Sequence, residues 1–393
     1  MARLCFLLQP TRSAPNFVAF IVCVACTFFV ITVMFLRDLS PGSSDYYNGD
    51  YESALANIDA HGGDKQPSND EIAVLVITSR RVRAVTKDLD IANDFFNYFA
   101  NSRHLLYEDS TIWCISAYND NGSPLSSDLH RAEQLYRTDF FPGLGWMMTS
   151  KLWKELSENW PISYWDDWMR REEIRKNRVC IRPEISRTVH NMDVAGKGTS
   201  GGMYKKNLAA IRLPDNDVDF SLIDTNKLKK SIYDKEFGQL IIHAKPITID
   251  ELFDENFRRN TTRFSPLEAF RVFYMNPRDY RKIGKNFGLM YDTRSGMQRT
   301  AYCGVVTFLV DGVRVFALHS NFNLTKPFGT YPCSEIYDVK WDLMSKYLDF
   351  AEIYCIPKRW RGKCDPNDPY MIKWFQQKKI EQRIKIWKDA IVF

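Results

Sequence analysis

The sequence predicts an α/β layered fold followed by a smaller α+β domain, both held behind one N-terminal transmembrane helix. Three patterns carry this expectation. Residues 17–36 read FVAFIVCVACTFFVITVMFL, twenty residues without a charge. At about 1.5 Å per residue such a helix spans about 30 Å, the thickness of a bilayer's hydrocarbon core. Strand and helix signals then alternate as far as about residue 190, the layout of an α/β layer structure. Further on, two β-rich runs flank Asp311-Gly312, a hairpin signature.

Taken in order, the span comes first. Bulky Met34, Phe35 and Leu36 stand where a cleaved signal peptide needs small residues, so the span reads as an uncleaved anchor. Arg3 and Arg12 precede it, while Arg37 and Asp38 nearly cancel behind it. The positive side stays cytosolic, which predicts a type II protein with its bulk in the lumen. Cys23 and Cys26 fall inside the span and read as small apolar side chains. Residues 37–70, rich in Ser, Gly, Asp and Asn, read as a flexible stem.

In the folded part, residues 72–78 form a short apolar run, the pattern of a buried parallel strand. Residues 94–106 place Phe95, Phe96 and Phe99 at helical spacing, and residues 111–117 read as a second buried strand. Asn119-Asp-Asn-Gly and Pro142-Gly-Leu-Gly are turns or loops. From Thr149 a helix carries Leu152, Trp153, Leu156 and Trp160 on one face, and Pro161 stops it. A basic amphipathic helix is expected over residues 373–389, packed on its own domain. The expected divisions are a cytosolic tail 1–16, anchor 17–36, stem 37–70, a truncated catalytic domain 71–220, a smaller domain 221–331, and a tail 332–393.

Composition narrows the function. The chain has 393 residues and a net charge of +5, with 53 basic groups nearly balanced by 48 acidic ones. That balance gives no footprint for nucleic acid. Six cysteines lie beyond the span, an even number that suits disulfides in an oxidising lumen. Asn121, Asn260 and Asn323 each begin a glycosylation sequon, with Pro124 behind Asn121 making it the weakest.

No H-E-x-x-H or G-x-S-x-G occurs, and Gly196-Lys-Gly-Thr-Ser-Gly201 lacks the strand and helix that a dinucleotide loop needs. The densest constellation is Tyr164-Trp-Asp-Asp-Trp-Met-Arg170, preceded by Phe140-Phe-Pro-Gly-Leu-Gly-Trp146. Aromatic faces stack on the apolar face of a sugar, and a carboxylate accepts its hydroxyls or acts as general base. The competing reading has Asp166 or Asp167 capping a helix that begins near Trp168. A second cluster is Thr86-Lys-Asp-Leu-Asp90, where an acidic group would hold a divalent ion against a diphosphate. There too, Asp88 or Asp90 as a helix cap is an equal reading.

At these residues the chain resembles a known family. Asp94-Phe-Phe-Asn-Tyr-Phe, Trp113-Cys-Ile-Ser-Ala-Tyr-Asn-Asp-Asn-Gly, Leu135-Tyr-Arg-Thr-Asp-Phe-Phe-Pro-Gly-Leu-Gly-Trp, Trp165-Asp-Asp-Trp-Met-Arg-Arg and Cys180-Ile-Arg-Pro-Glu-Ile-Ser-Arg-Thr resemble the Golgi alpha-1,3-mannosyl-glycoprotein 2-beta-N-acetylglucosaminyltransferases, which start hybrid and complex N-glycans. The resemblance implies an inverting glycosyltransferase of the A-type, Rossmann-like fold. It implies UDP-GlcNAc as donor, Mn²⁺ as cofactor, and the 2-hydroxyl of a mannose on a high-mannose N-glycan as acceptor. It also implies a Golgi membrane setting, with homo- or hetero-oligomers among Golgi transferases. By position, Asp166 becomes the general base, Trp165 shapes the pocket, Asp88 ligates the metal and Ser200 sits on a loop closing over the donor. Cys114 and Cys180 fall at positions that pair in the family, leaving Cys303, Cys333, Cys355 and Cys364 unassigned.

Two departures stand out. Lys87 occupies a position where the family has a carboxylate, reversing the local charge. In the family a long stretch supplying most of the uridine site separates the first strand from the metal motif. Here seven residues, 79–85, do so, fewer than the ten or so that one βαβ crossover needs. Three readings follow: a transferase of this class, an inactive anchored relative that binds glycan or pairs with the full-length enzyme, or a luminal carbohydrate-binding module.

Overall fold

The computed structural model describes residues 72–75, 89–162, 164–191, 204–261 and 268–381, with residues 384, 385 and 388. The expected span at 17–36 lies outside them; among the described residues no helix is long and apolar enough to cross a membrane.

The first layer contains β1 (Ile72–Leu75), β2 (Leu89–Ile91), α1 (Phe95–Ser102), β3 (Ile112–Ser116), β4 (Leu135–Thr138), β5 (Trp146–Thr149), α2 (Ser150–Ser157), α3 (Trp165–Arg170), β6 (Val179–Pro183) and β7 (Thr188–His190). Five strands pair in the order β1-β5-β3-β6-β4, and β2 pairs with β7 as a separate ribbon. Only β3 and β6 are parallel; the other three contacts of the sheet are antiparallel. The expected parallel strand at 72–78 is therefore corrected: β1 is an edge strand, antiparallel to β5, with Ile72 opposite Thr149. An apolar run encodes burial but not direction, and direction here is set by β5, the partner left free at the sheet's edge.

Local chemistry explains the helices. α1 buries Phe95, Tyr98, Phe99 and Ser102, the i, i+3, i+4, i+7 stripe of one helical face. α2 starts where the Thr149 hydroxyl accepts from the Leu152 amide at 3.2 Å. Every residue of β3 is buried, and Cys114 in it is disulfide-bonded to Cys180, its register partner on β6.

The second layer holds α4 (Lys230–His243), β8 (Lys245–Pro246), β9 (Ala269–Tyr274), α5 (Pro277–Phe287), β10 (Val305–Val310) and β11 (Val313–His319), paired in the order β10-β11-β9-β8. β10 and β11 form the expected hairpin, Val310 opposite Val313, with Asp311 and Gly312 at φ 48° and 85°. Two consecutive positive φ values make the type I′ turn that Asp-Gly favours.

One hydrophobic cluster joins the layers. Phe95 and Phe99 of α1 and Ile115 of β3 pack in it with Phe237 of α4, Phe316 of β11 and Ile336. The chain continues through α6 (Lys340–Tyr354) and α7 (Pro369–Gln377). The helix expected over 373–389 is shifted: Asp368 caps it through the Tyr370 and Met371 amides, Pro369 opens it, and it ends at Gln377. Lys379 at φ 55° interrupts the helix, and residues 381, 384, 385 and 388 are helical again. Phe375 and Met371 then pack on Phe350 and Tyr354 of α6, beside the Cys355–Cys364 disulfide. Cys303 and Cys333 form the third bond.

Candidate functional site

The site is built on the face of the first sheet opposite the shared core. Trp113, Phe141, Trp146 and Met169 form a second buried cluster there, with Trp153, Trp160, Trp165 and Trp168 against it. The loop before β5 is held in shape by Gly143, Leu144 and Gly145, all with positive φ. The Ser116 hydroxyl donates to the Gly143 carbonyl at 3.0 Å, and the Thr188 hydroxyl to that of Leu144 at 2.6 Å. Glycine is required at 145, because a Cβ there would lie 2.8 Å from Thr188 Cγ2.

Against this loop stands α3. Its carboxylates do not cap the helix: the N-cap is Tyr164, which makes no capping bond, and both aspartates lie in the first turn. They converge on Arg170 instead. Arg170 Nη1 donates to Asp166 Oδ2 at 2.9 Å and to Asp167 Oδ1 at 2.8 Å, while Nε donates to the Phe141 carbonyl at 3.1 Å. The guanidinium also lies 4.3 Å from the centre of the Phe140 ring. Arg170 is buried, whereas the Asp166 side chain keeps 43% of its surface exposed.

The ion pairs continue inward. Asp167 lies 3.6 Å from Arg294, and Arg294 is 3.2 Å from Asp292. Arg299 grips Asp292 with Nε at 2.7 Å and Nη2 at 2.9 Å, and donates to Asp120 through Nη1. Four carboxylates thus share three guanidinium groups, leaving one formal negative charge. Asp292 and Asp120 have Arg299 and Arg294 about them, so the surplus falls on the exposed pair that shares Arg170. Burial works to protonate Asp166, but the Arg170 charge and hydrogen bond outweigh it and hold the carboxyl below its ordinary range. Deeper in, burial dominates at Asp120 and raises its carboxyl despite Arg299. The chain ends in an ionised, half-exposed carboxylate on a rigid helix, an arrangement able to accept a proton from a hydroxyl.

Other sequence-predicted residues fall differently. Lys87, Asp88 and Ser200 lie outside the described residues. Asp90 caps no helix; it sits on β2 opposite Val189. Trp165 packs rather than opens, since its ring stacks on both Trp146 and Trp160. Asn121 is buried: its amide donates to Thr300 Oγ1 at 3.0 Å and accepts from the Met290 amide at 3.0 Å, so the folded chain offers it to no glycan. Asn323 is half-buried and accepts from both the amide and the hydroxyl of Thr325, at 2.8 and 2.7 Å. Asn260 ends a short helix and is also half-buried.

Among the described residues, three ligating groups come within reach of one another only at Asp139, Cys303 and Cys333. Those cysteines are bonded to each other, and Asp139 is held by Arg175 at 3.1 Å and by the Tyr337 hydroxyl at 2.7 Å.

Asp120, Asp292, Arg294 and Arg299 are missed by sequence reasoning. They join the site from up to 179 positions apart, so no local spacing marks them.

Comparison with known proteins adds two findings. A family model described as GNT-I family matches residues 70–325. An alpha-1,3-mannosyl-glycoprotein 2-beta-N-acetylglucosaminyltransferase of Arabidopsis thaliana is 37% identical over 236 residues, which cover 60% of this chain and 50% of its own length. The chain therefore spans about half the length of that curated relative.

Proposed function

Because the chain belongs to the GNT-I family, we propose that it carries the acceptor half of an inverting N-acetylglucosaminyltransferase, with Asp166 as general base towards the 2-hydroxyl of a mannose on an N-glycan. The single observation behind this reading is the Asp166 carboxylate, half-exposed and paired with the buried Arg170 at 2.9 Å. In the step, the carboxylate takes the O2 proton of mannose. O2 forms a bond to the anomeric carbon of GlcNAc, and the bond from that carbon to the phosphate oxygen breaks, releasing UDP with the electron pair. UDP-GlcNAc, Mn²⁺ at Asp88, closure at Ser200 and a luminal Golgi setting belong to the same proposal.

A second reading is binding of a mannosyl glycan without transfer. It is favoured by the edge position of β1: among the described residues no strand lies outside it to extend the sheet towards a nucleotide. One experiment separates the two. The full chain is incubated with UDP-GlcNAc, Mn²⁺ and an oligomannose acceptor, and GlcNAc transfer is measured beside acceptor binding. In a transferase, Asp166→Asn lowers kcat about 10²–10⁴-fold and leaves acceptor binding within about twofold. An unchanged kcat removes Asp166 as the base. Acceptor binding with no transfer by the unsubstituted chain leaves the second reading.

A further inference from the structure

Recognition of a sugar needs an aromatic face left open beside a polar group, because the apolar C–H face of a pyranose packs flat on a ring while its hydroxyls seek acceptors. Trp165, the indole next to Asp166, does not offer one. Its ring stacks on Trp146 at 6.1 Å and on Trp160 at 5.8 Å, with interplanar angles of 25° and 19°, and Phe141 meets it edge-on at 5.9 Å. The open ring belongs to its neighbour. Tyr164 is 63% exposed and Ile162, two positions earlier, is 82% exposed.

Tyr164 also has an uncommon backbone. At φ 54° and ψ 39° it is left-handed, a conformation that costs a side-chain-bearing residue about 1–2 kcal/mol. The cost is sustained because α3 begins at the next residue and the Trp168 amide donates back to the Tyr164 carbonyl at 3.0 Å. The left-handed turn at Tyr164 fixes where its backbone enters α3, and the side chain stays exposed two positions from Asp166. Two residues of backbone span at most about 7 Å, the scale of neighbouring rings in an oligosaccharide.

We propose that Tyr164 is a second sugar-binding position, on which the mannose next to the reacting one packs its apolar face, so that the glycan branch presented to Asp166 is selected there. This rests on the reading of the Asp166 face as a mannosyl-acceptor site. It assigns the stacking role to Tyr164, outside the indole cluster, and leaves Trp165 to support α3 from beneath.

The test needs neither donor nor turnover. The full chain in detergent is titrated with a branched oligomannose glycan and with methyl α-mannoside, using ligand-observed NMR, and circular dichroism checks each variant's fold. The unsubstituted chain should bind the branched glycan more tightly than the monosaccharide. Tyr164→Ala should weaken glycan binding about tenfold, the upper end of one aromatic contact, and leave the monosaccharide unaffected. Tyr164→Phe should keep the affinity. Tyr164→Gly relieves the backbone but should lose affinity as the Ala variant does, because the ring is gone. Glycan binding by Tyr164→Ala equal to that of the unsubstituted chain overturns the inference and spares the acceptor reading. An unsubstituted chain that binds neither sugar overturns both.

Discussion

Arg170 Nη1 serves two carboxylates at once, and its Nε holds the Phe141 carbonyl in the strained loop. Replacing it with a neutral side chain removes the charge that holds the Asp166 carboxyl below its ordinary range. In Arg170→Gln the Asp166 carboxyl should titrate higher, followed by carbon-13 NMR of that side chain; an unmoved midpoint would refute the role given to Arg170. The sign is fixed by linkage. A carboxyl lowered on folding stabilises the protein above its unfolded pKa, and that contribution is lost as pH falls through the folded value. Acid unfolding of the variant should therefore begin at a higher pH. At this scale the sequence was half legible. The paired aspartates among aromatics can be read as a sugar site, but the partner they share is visible only once α3 puts residue 170 one turn away.

The elements separate two kinds of glycine. Gly312 turns the β10–β11 hairpin at φ 85° with nothing near an added Cβ. Gly145 has φ 86° and would also press on Thr188. Gly312→Ala should therefore cost the backbone penalty alone, about 1–2 kcal/mol. Gly145→Ala should exceed it by about 1–3 kcal/mol through overpacking, measured by urea unfolding; equal losses would show that the Thr188 contact relaxes freely. The hairpin was readable because its whole specification lies in fourteen consecutive residues, 305–318. The direction of β1 was not, since nothing in residues 72–75 reports that β5 is its partner. The break between α7 and the helical residues 381, 384, 385 and 388 was hidden for a similar reason. The apolar period runs past Lys379, but the backbone there turns left-handed.

Across the whole molecule, Asp139 joins the layers. It follows β4 of the first sheet, yet accepts from the Cys303 amide at 2.6 Å and the Tyr337 hydroxyl at 2.7 Å, beside the Cys303–Cys333 bond. Residues beyond 332 are thereby knitted into the second layer: Trp341 stacks on His319 at 4.1 Å, and Asp342 accepts from the Ser295 and Gly296 amides. Replacing both Cys303 and Cys333 with Ser opens a loop of about thirty residues, which by chain entropy should cost about 3–4 kcal/mol. Hydrogen exchange should show protection lost in β11 and α6 together; loss confined to residues near 333 would mean that the clamp holds without the bond.

The single cluster that draws Phe95, Phe237, Phe316 and Ile336 into contact also sets a timetable for the newborn chain. A ribosome delivers α1 more than two hundred residues before β11, so the side of the cluster that Phe316 and Ile336 close stays open until the distal half arrives. Quality-control factors that hold greasy nascent segments would have their longest dwell on this stretch, and a synthesis pause before residue 300 would prolong it.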